Sequence, residues 1–350
     1  MRETKDSQVI NQIRLPLIIL VTYAHSYGAI RSGYSLLTSG WDTLEVTKLL
    51  VSQTLTKVVV PVFFIISGYL FFRHLETWNW TLWRQKLLRR LRTLLLPYVV
   101  WNLLMAVKLK TFSWPMLWAY WSEAGTQTDW LGAVHHMTAP CNMPLWFLRD
   151  LMVITLLTPL LYPLLRRYGK PLVGLLTLWY LSGVCPFPLP GLSAYAICFF
   201  SMGALLTIHR CPLTATAMRV ELPAYILSAM LAVAMLFSWH TPLFSPFMLA
   251  FRLTGAVAVF CIASRLSSPF TLHPSPFISH SSYFLYLSHY VFFLSFIDNW
   301  MLSLPHAFTL HPSPFTILHY LLAPLVKAVL LLAVYVGCYK LFHLCRKQEK

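Results

Sequence analysis

Charge is scarce in this chain, and negative charge is scarcest. Only 11% of its 350 residues are Asp, Glu, Lys or Arg, less than half the share of about 25% that a soluble domain carries. Acids number 11 against 27 Lys and Arg, a formal net charge of +16. There is no series of intramembrane carboxylates of the kind a cation carrier needs; Asp150, Asp298 and Glu221 are the acids at or inside apolar runs. Seven cysteines contain no CxxC pair, which argues against a thiolate metal site or a disulfide scaffold, and no metal is expected. Cys141 and Cys185 are the pair that the topology below brings to one face. The basic residues form no patch on an extramembrane domain, so nucleic acid is not an expected partner. What the chain has instead is apolar surface, with 57% hydrophobic residues and a mean hydropathy of +0.63.

Those residues come in runs near 11–30, 51–72, 93–110, 144–164, 171–186, 192–208, 221–239, 246–263, 278–298 and 316–342. Most approach the roughly 20 residues a helix needs to cross a bilayer. The expected fold is an all-α, polytopic bundle of about ten transmembrane helices in one domain, 1–350, with the lipid bilayer as a partner. The first run holds Arg14 and His25 and lacks a small-residue cleavage site, so it is expected to stay as the first span. An even number of spans puts both termini on one side. With that side cytoplasmic, the inner segments hold Arg2 and Lys5, then Arg73 to Arg92, then Arg166, Arg167 and Lys170, then Arg210 and Arg219, Arg265, and the basic C-terminus. The outer segments hold only Arg31, Lys48, Lys108 and Lys110. This inward bias of Lys and Arg orients the chain in a cell (inner) membrane. Segment 74–97 is expected to lie in the cytoplasmic interface, anchored by Trp78, Trp80 and Trp83, before the third span turns in. The loop Thr111–Met143 is the longest outer connection. The octapeptide FTLHPSPF occurs at Phe270–Phe277 and at Phe308–Phe315 and reads as two helix-entry turns.

Arg14 and His25 lie eleven positions apart. At about 100° and 1.5 Å per residue, that returns to within about 20° of one face, with a separation of about 16 Å. Polar groups inside a bilayer are costly to keep. The pair reads either as a site, with Arg14 holding an anion and His25 handling a proton, or as a snorkelling cation and a histidine bonded to a neighbouring helix. Further cations fall inside runs at Lys57, Arg149, Arg252 and Lys327. Arg149 and Asp150 are adjacent, so on a helix they point apart by about 100° and are not expected to pair. Asn102 is either helix glue or a site wall. His289 reads as a hydrogen-bonded structural histidine.

Several motifs then stand in one order. Arg14 and His25 form an Arg-x10-His signature; Pro61-Val-Phe-Phe-Ile-Ile-Ser67-Gly68-Tyr69-Leu70 is an FFxxSGYL-type second span; Arg89-Arg90-Leu91-Arg92 precedes Pro97-Tyr98 as in an RxxR–PY entry; Pro144-Leu-Trp146-Phe147-Leu-Arg149-Asp150 carries a WFL motif; and Ser282-Tyr283-Phe-Leu-Tyr286-Leu-Ser-His289 forms a late helix. Together they resemble the membrane acyltransferase-3 family, polytopic bacterial enzymes that O-acylate glycans on the far side of the membrane.

The resemblance implies an acyltransferase that moves an acyl group, acetyl first among the candidates, from cytoplasmic acyl-CoA to a hydroxyl of an extracytoplasmic glycan or lipid-linked saccharide. The donor is a substrate, and no bound cofactor is expected. Residue chemistry agrees: an unperturbed imidazole changes charge near neutrality, so His25 is suited to act as general base, and the guanidinium of Arg14 suits the phosphates of CoA. Arg89 and Arg92 would add phosphate contacts, with Ser67, Tyr69, Trp146 and Arg149 as further substrate contacts, Ser67 and Tyr69 serving equally as packing. An acyl-histidine intermediate stays open. The alternatives are a multi-pass transporter or flippase for an anionic solute, and an idle scaffold.

Overall fold

A computed structural model describes residues 5–25, 30–73, 75, 77–108, 140–184, 191–266, 276–290 and 314–348. In hydrocarbon every backbone N–H and C=O must be bonded internally, which helices achieve within one segment. The regular elements of the described residues are all helices, with no strand among them. In chain order the main helices are α1 (Lys5–Ala24), α2 (Thr43–Phe72), α3 (Trp80–Val107), α4 (Met143–Leu156), α5 (Thr158–Leu181), α6 (Ala194–Ile208), α7 (Glu221–Ser238), α8 (Phe244–Leu266), α9 (Pro276–Ser288) and α10 (Pro314–Gln348). Five of these, α2, α3, α7, α8 and the stretch Ile317–Leu341 of α10, are long and apolar enough to cross a membrane, and the bent pair α4–α5 makes a sixth.

The chain divides into two compact units. The first comprises Met1–Val59, Ala232–Phe244 and Arg265–Lys350; the second comprises Val60–Leu231 and Ser245–Ser264. In the first, α1 packs against α9, α10 and the start of α2. Its buried residues Ile10, Ile13, Leu17, Ile18 and Val21 form one helical stripe. Asp42 caps α2, its carboxylate accepting from the backbone N–H of Leu44 and Glu45. The helix then widens to a π-turn at Leu49–Thr54 and tightens to a 3-10 turn at Leu55–Val58.

The second unit departs from expectation at two places. Residues 80–97 and the third span do not form an interfacial helix followed by a turn. They run on as the single helix α3, capped by the Asn79 side chain, which accepts from Leu82 N at 2.9 Å. Within it a π-turn spans Leu91–Leu95, just before Pro97. Proline has no N–H for the preceding turn and its ring crowds the carbonyl four residues back, and a widened turn absorbs both without ending the helix.

The spans expected at 144–164 and 171–186 are divided differently. The first helix stops at Leu156, α5 starts at Thr158, and the axes bend by 68°. Pro159 cannot donate to the Thr155 carbonyl, and the Thr158 hydroxyl does so instead at 2.6 Å. A further break falls at Gly169 (φ 17°, ψ −100°), inside the basic connection expected between the runs 144–164 and 171–186, so that α5 is two helices joined at a kink and not at an extended loop. The outer loop is described only at 140–143, and each octapeptide copy only at its last two residues; Cys185 lies outside the described residues.

Candidate active site

The first unit gathers polar groups at the C-terminal end of α1. Tyr23 donates its hydroxyl to the Leu321 carbonyl on α10. Its own carbonyl, at a helix end where carbonyls lose their partners, accepts from Ser52 Oγ at 2.8 Å. Ser52 has one hydrogen, so the 2.6 Å contact with Tyr320 is donated by the tyrosine hydroxyl. Ser52 is fully buried and sits in the π-turn of α2, a feature common at functional sites. This relay fixes the backbone two residues before His25.

His25 completes the last helical turn, its N–H donating to Val21 O at 3.3 Å. Its ring is 5.4 Å from that of His289 (centroids, 45° between planes) and 5.6 Å, edge to face, from that of Tyr290. His289 is buried at the end of α9, with Nδ1 2.6 Å from the Tyr286 carbonyl. Arg14 is half-buried on the α1 stripe between Ile10, Ile13, Leu17 and Ile18. Both expected residues thus lie on the packed side of α1, Arg14 in mid-helix and His25 at its end. Lys57, on the 3-10 turn of α2, donates to Gln53 Oε1 at 3.3 Å, and Lys327 on α10 is buried.

The remaining expected site residues belong to the second unit. Ser67, Gly68 and Tyr69 lie where α2 crosses α6 with backbones nearly touching. A Cβ on Gly68 would fall 2.0 Å from Phe200 O, and one on Gly203 1.9 Å from Ile65 O. Thr207 Oγ1 donates to Tyr69 O at 2.8 Å. Small residues permit such crossings in membranes. Of the basic run, Arg89 and Arg92 are exposed, whereas Arg90 turns inward. Its guanidinium donates to Ser67 O at 3.1 Å and Thr155 Oγ1 at 3.2 Å and lies 4.9 Å from the Phe71 ring centroid. Trp146 faces Tyr195 at 6.0 Å between ring centroids. Asn102 acts as glue: Nδ2 donates to Tyr98 O at 2.7 Å and Oδ1 accepts from Asn142 N at 3.0 Å.

One expectation is overturned. Arg149 and Asp150 do pair, with Nε and Nη2 at 3.1 and 3.0 Å from Oδ1. The ~100° between their Cβ directions is bridged because the long arginine arm folds back onto its neighbour. Ser193, the N-cap of α6, donates to the other oxygen, Oδ2, at 3.2 Å. Sequence reasoning missed Ser52, Tyr320 and Arg90, and assigned His289 a purely structural place. Arg90 and His289 left a signal, since one stands inside the basic motif and the other closes the last motif; Ser52 and Tyr320 left none.

A family model described as an acyltransferase domain matches residues 8–342. The chain belongs to the acyltransferase-3 family. The matched residues take in all the described helices that are long and apolar enough to cross a membrane. Among curated proteins, the succinoglycan biosynthesis protein ExoH of Rhizobium meliloti (strain 1021) is 30% identical over 207 residues. The match covers 57% of this chain and 54% of the relative, so the chain spans about half the length of the curated relative it matches. No solved structure matches the chain.

Proposed function

We propose that this protein is an acyltransferase that moves an acyl group, acetyl in the first instance, from cytoplasmic acyl-CoA to a hydroxyl of an extracytoplasmic glycan or lipid-linked saccharide. The observation that carries the reading is the placement of His25 at the packed end of α1, against His289 and Tyr290 and on the stripe that holds Arg14. A saccharide acceptor is favoured by the similar protein's tie to succinoglycan biosynthesis. A ten-span chain with both termini in the cytoplasm of a cell (inner) membrane is favoured by the inward bias of Lys and Arg.

In this reading the acceptor oxygen attacks the thioester carbonyl while His25 takes its proton. The tetrahedral intermediate collapses with cleavage of the C–S bond. The departing thiolate then takes the proton back from His25, leaving an ester and free CoA thiol with no further reactant. Arg14 is assigned to the donor's phosphates, and Arg89 and Arg92 are each assigned a phosphate contact of their own on α3. Trp146 and Arg149, with the Ser67–Tyr69 turn, contact the acceptor. Direct transfer and an acyl-His25 intermediate use the same atoms in a different order.

The test uses purified full-length protein and radiolabelled acetyl-CoA. His25→Ala is expected to lower thioester turnover by ~10²–10⁴ with unchanged helical content and elution volume. A fully active His25→Ala protein removes His25 from the mechanism. Vectorial movement of an anionic solute with the donor left intact would support the carrier reading instead.

A further inference from the structure

His289 was expected to be a structural histidine, and half of its ring is. The Tyr286 carbonyl can only accept, so the 2.6 Å contact places a hydrogen on Nδ1 of His289. That hydrogen bond fixes the tautomer and leaves Nε2 of the neutral ring with a lone pair. Nε2 is fully buried and has no hydrogen-bond partner. A buried acceptor left unmade costs free energy, and native structures seldom carry one without a role. The His25 ring lies nearer to that of His289 than Tyr286 or Tyr290 does, with centroids 5.4 Å apart against 6.1 and 6.4 Å and planes tilted by 45°. If the two rings turn edge to edge, that separation brings the near nitrogens to about the 3 Å of a hydrogen bond. Catalytic hydrogen bonds are often open before substrate binds and tighten afterwards.

We propose that His289 is the positioning residue for His25. Its Nε2 takes the N–H of His25, fixing the His25 tautomer so that the opposite nitrogen keeps its lone pair for the acceptor hydroxyl. The chain of contacts runs Tyr286 carbonyl, His289, His25, hydroxyl; a second imidazole stands where a carboxylate orients the histidine in a hydrolase triad. The scarcity of intramembrane acids makes this substitution intelligible, because a neutral imidazole orients its partner without burying a charge. Tyr290 packs on the His25 ring at 5.6 Å and limits its rotation. The proposal rests on His25 being the base.

The experiment compares steady-state acetyl transfer by His289→Asn, His289→Gln, His25→Ala and the double variant His25→Ala/His289→Asn. Asparagine keeps a donor near the Nδ1 position and removes the acceptor at Nε2. Glutamine carries an amide oxygen to the Nε2 position. His289→Asn should lower kcat by ~10–100-fold, the range reported for lost second-layer partners of histidine, with donor KM within about twofold of wild type. His289→Gln should recover most of that loss. In the His25→Ala background His289→Asn should cost nothing further, because the residue it orients is gone. Wild-type kcat in His289→Asn overturns the proposal, as does a loss of equal size in both backgrounds, or a well-folded His289→Gln as impaired as His25→Ala. Failure of the parent reading looks different, since His25→Ala itself would then be active.

Discussion

Replacing Gly203 by alanine tests the tightest contact in the second unit. The new Cβ would lie 1.9 Å from Ile65 O, 2.7 Å from Ile65 C and 2.9 Å from Tyr69 N, all backbone atoms of α2 that cannot rotate away. Ordinary contact begins at 3.4 Å, so α2 and α6 must separate by roughly the 1.5 Å difference. That separation weakens the Thr207–Tyr69 hydrogen bond at 2.8 Å, worth about 0.6 kcal/mol on average between membrane helices. Overpacking adds about 1–3 kcal/mol. A total of about 2–4 kcal/mol shifts an unfolding equilibrium by roughly 30- to 700-fold. The assay is thermal unfolding in detergent, followed by the monodisperse fraction on size exclusion, with Gly174→Ala as the control. Gly174 has nothing within 4 Å of its would-be Cβ and lies within α5, so alanine there should be neutral or stabilise by up to about 1 kcal/mol. Gly203→Ala should melt well below both wild type and the control. Equal melting of the two variants would refute the close crossing and return the Ser67–Tyr69 turn to a role in substrate contact alone.

The three arginines of the basic run should separate. Arg90→Ala removes two hydrogen bonds and a ring contact and should destabilise by about 2–4 kcal/mol, read as lower melting in detergent. Arg89→Ala and Arg92→Ala, exposed on α3, should melt like wild type while raising the KM for acyl-CoA several-fold. Arg149→Ala removes the ion-pair partner of the buried Asp150 carboxylate and should cost about 3–5 kcal/mol; Arg149→Ala/Asp150→Asn should recover much of it, as chemical unfolding would show. Tyr320→Phe removes the donor to Ser52 and should lower kcat by a few-fold at constant donor KM, since it loosens the backbone beneath His25.

Much of the helix content was legible because apolar runs and terminal punctuation are local signals. Runs 221–239 and 246–263 fall within a few residues of α7 and α8, and run 51–72 ends with α2, which starts earlier, at Thr43. The face shared by Arg14 and His25 was legible too, since it needs only the helical period and the buried stripe of α1 follows the same period. Helix breaks were not. Whether Pro97 ends α3 or is absorbed by a π-turn, and whether Pro159 restarts a helix at 68°, depends on which group takes the orphaned carbonyl. Ser52 and Tyr320 stand 268 positions apart, and nothing in either neighbourhood marks their hydrogen bond. The same holds for the ring contact between His25 and His289.

The interior cations show where reasoning by adjacency misleads. A surplus of positive charge inside a membrane invites an anion from outside, and the carrier reading drew on that invitation. In the second unit Arg149 is answered by Asp150, Arg90 by a carbonyl, a hydroxyl and a ring, and Arg252 lies 5.0 Å over the Tyr195 ring. In the first unit Lys57 is answered by Gln53. Acids are too few to do this work alone, so amides, hydroxyls, carbonyls and aromatic faces share it, as intramembrane charges require. The charge count therefore gives a transported anion little to explain. Within the basic run, Arg89 and Arg92 are exposed on α3, and they are the members of that run that remain available to the phosphate-bearing donor of the proposed reading.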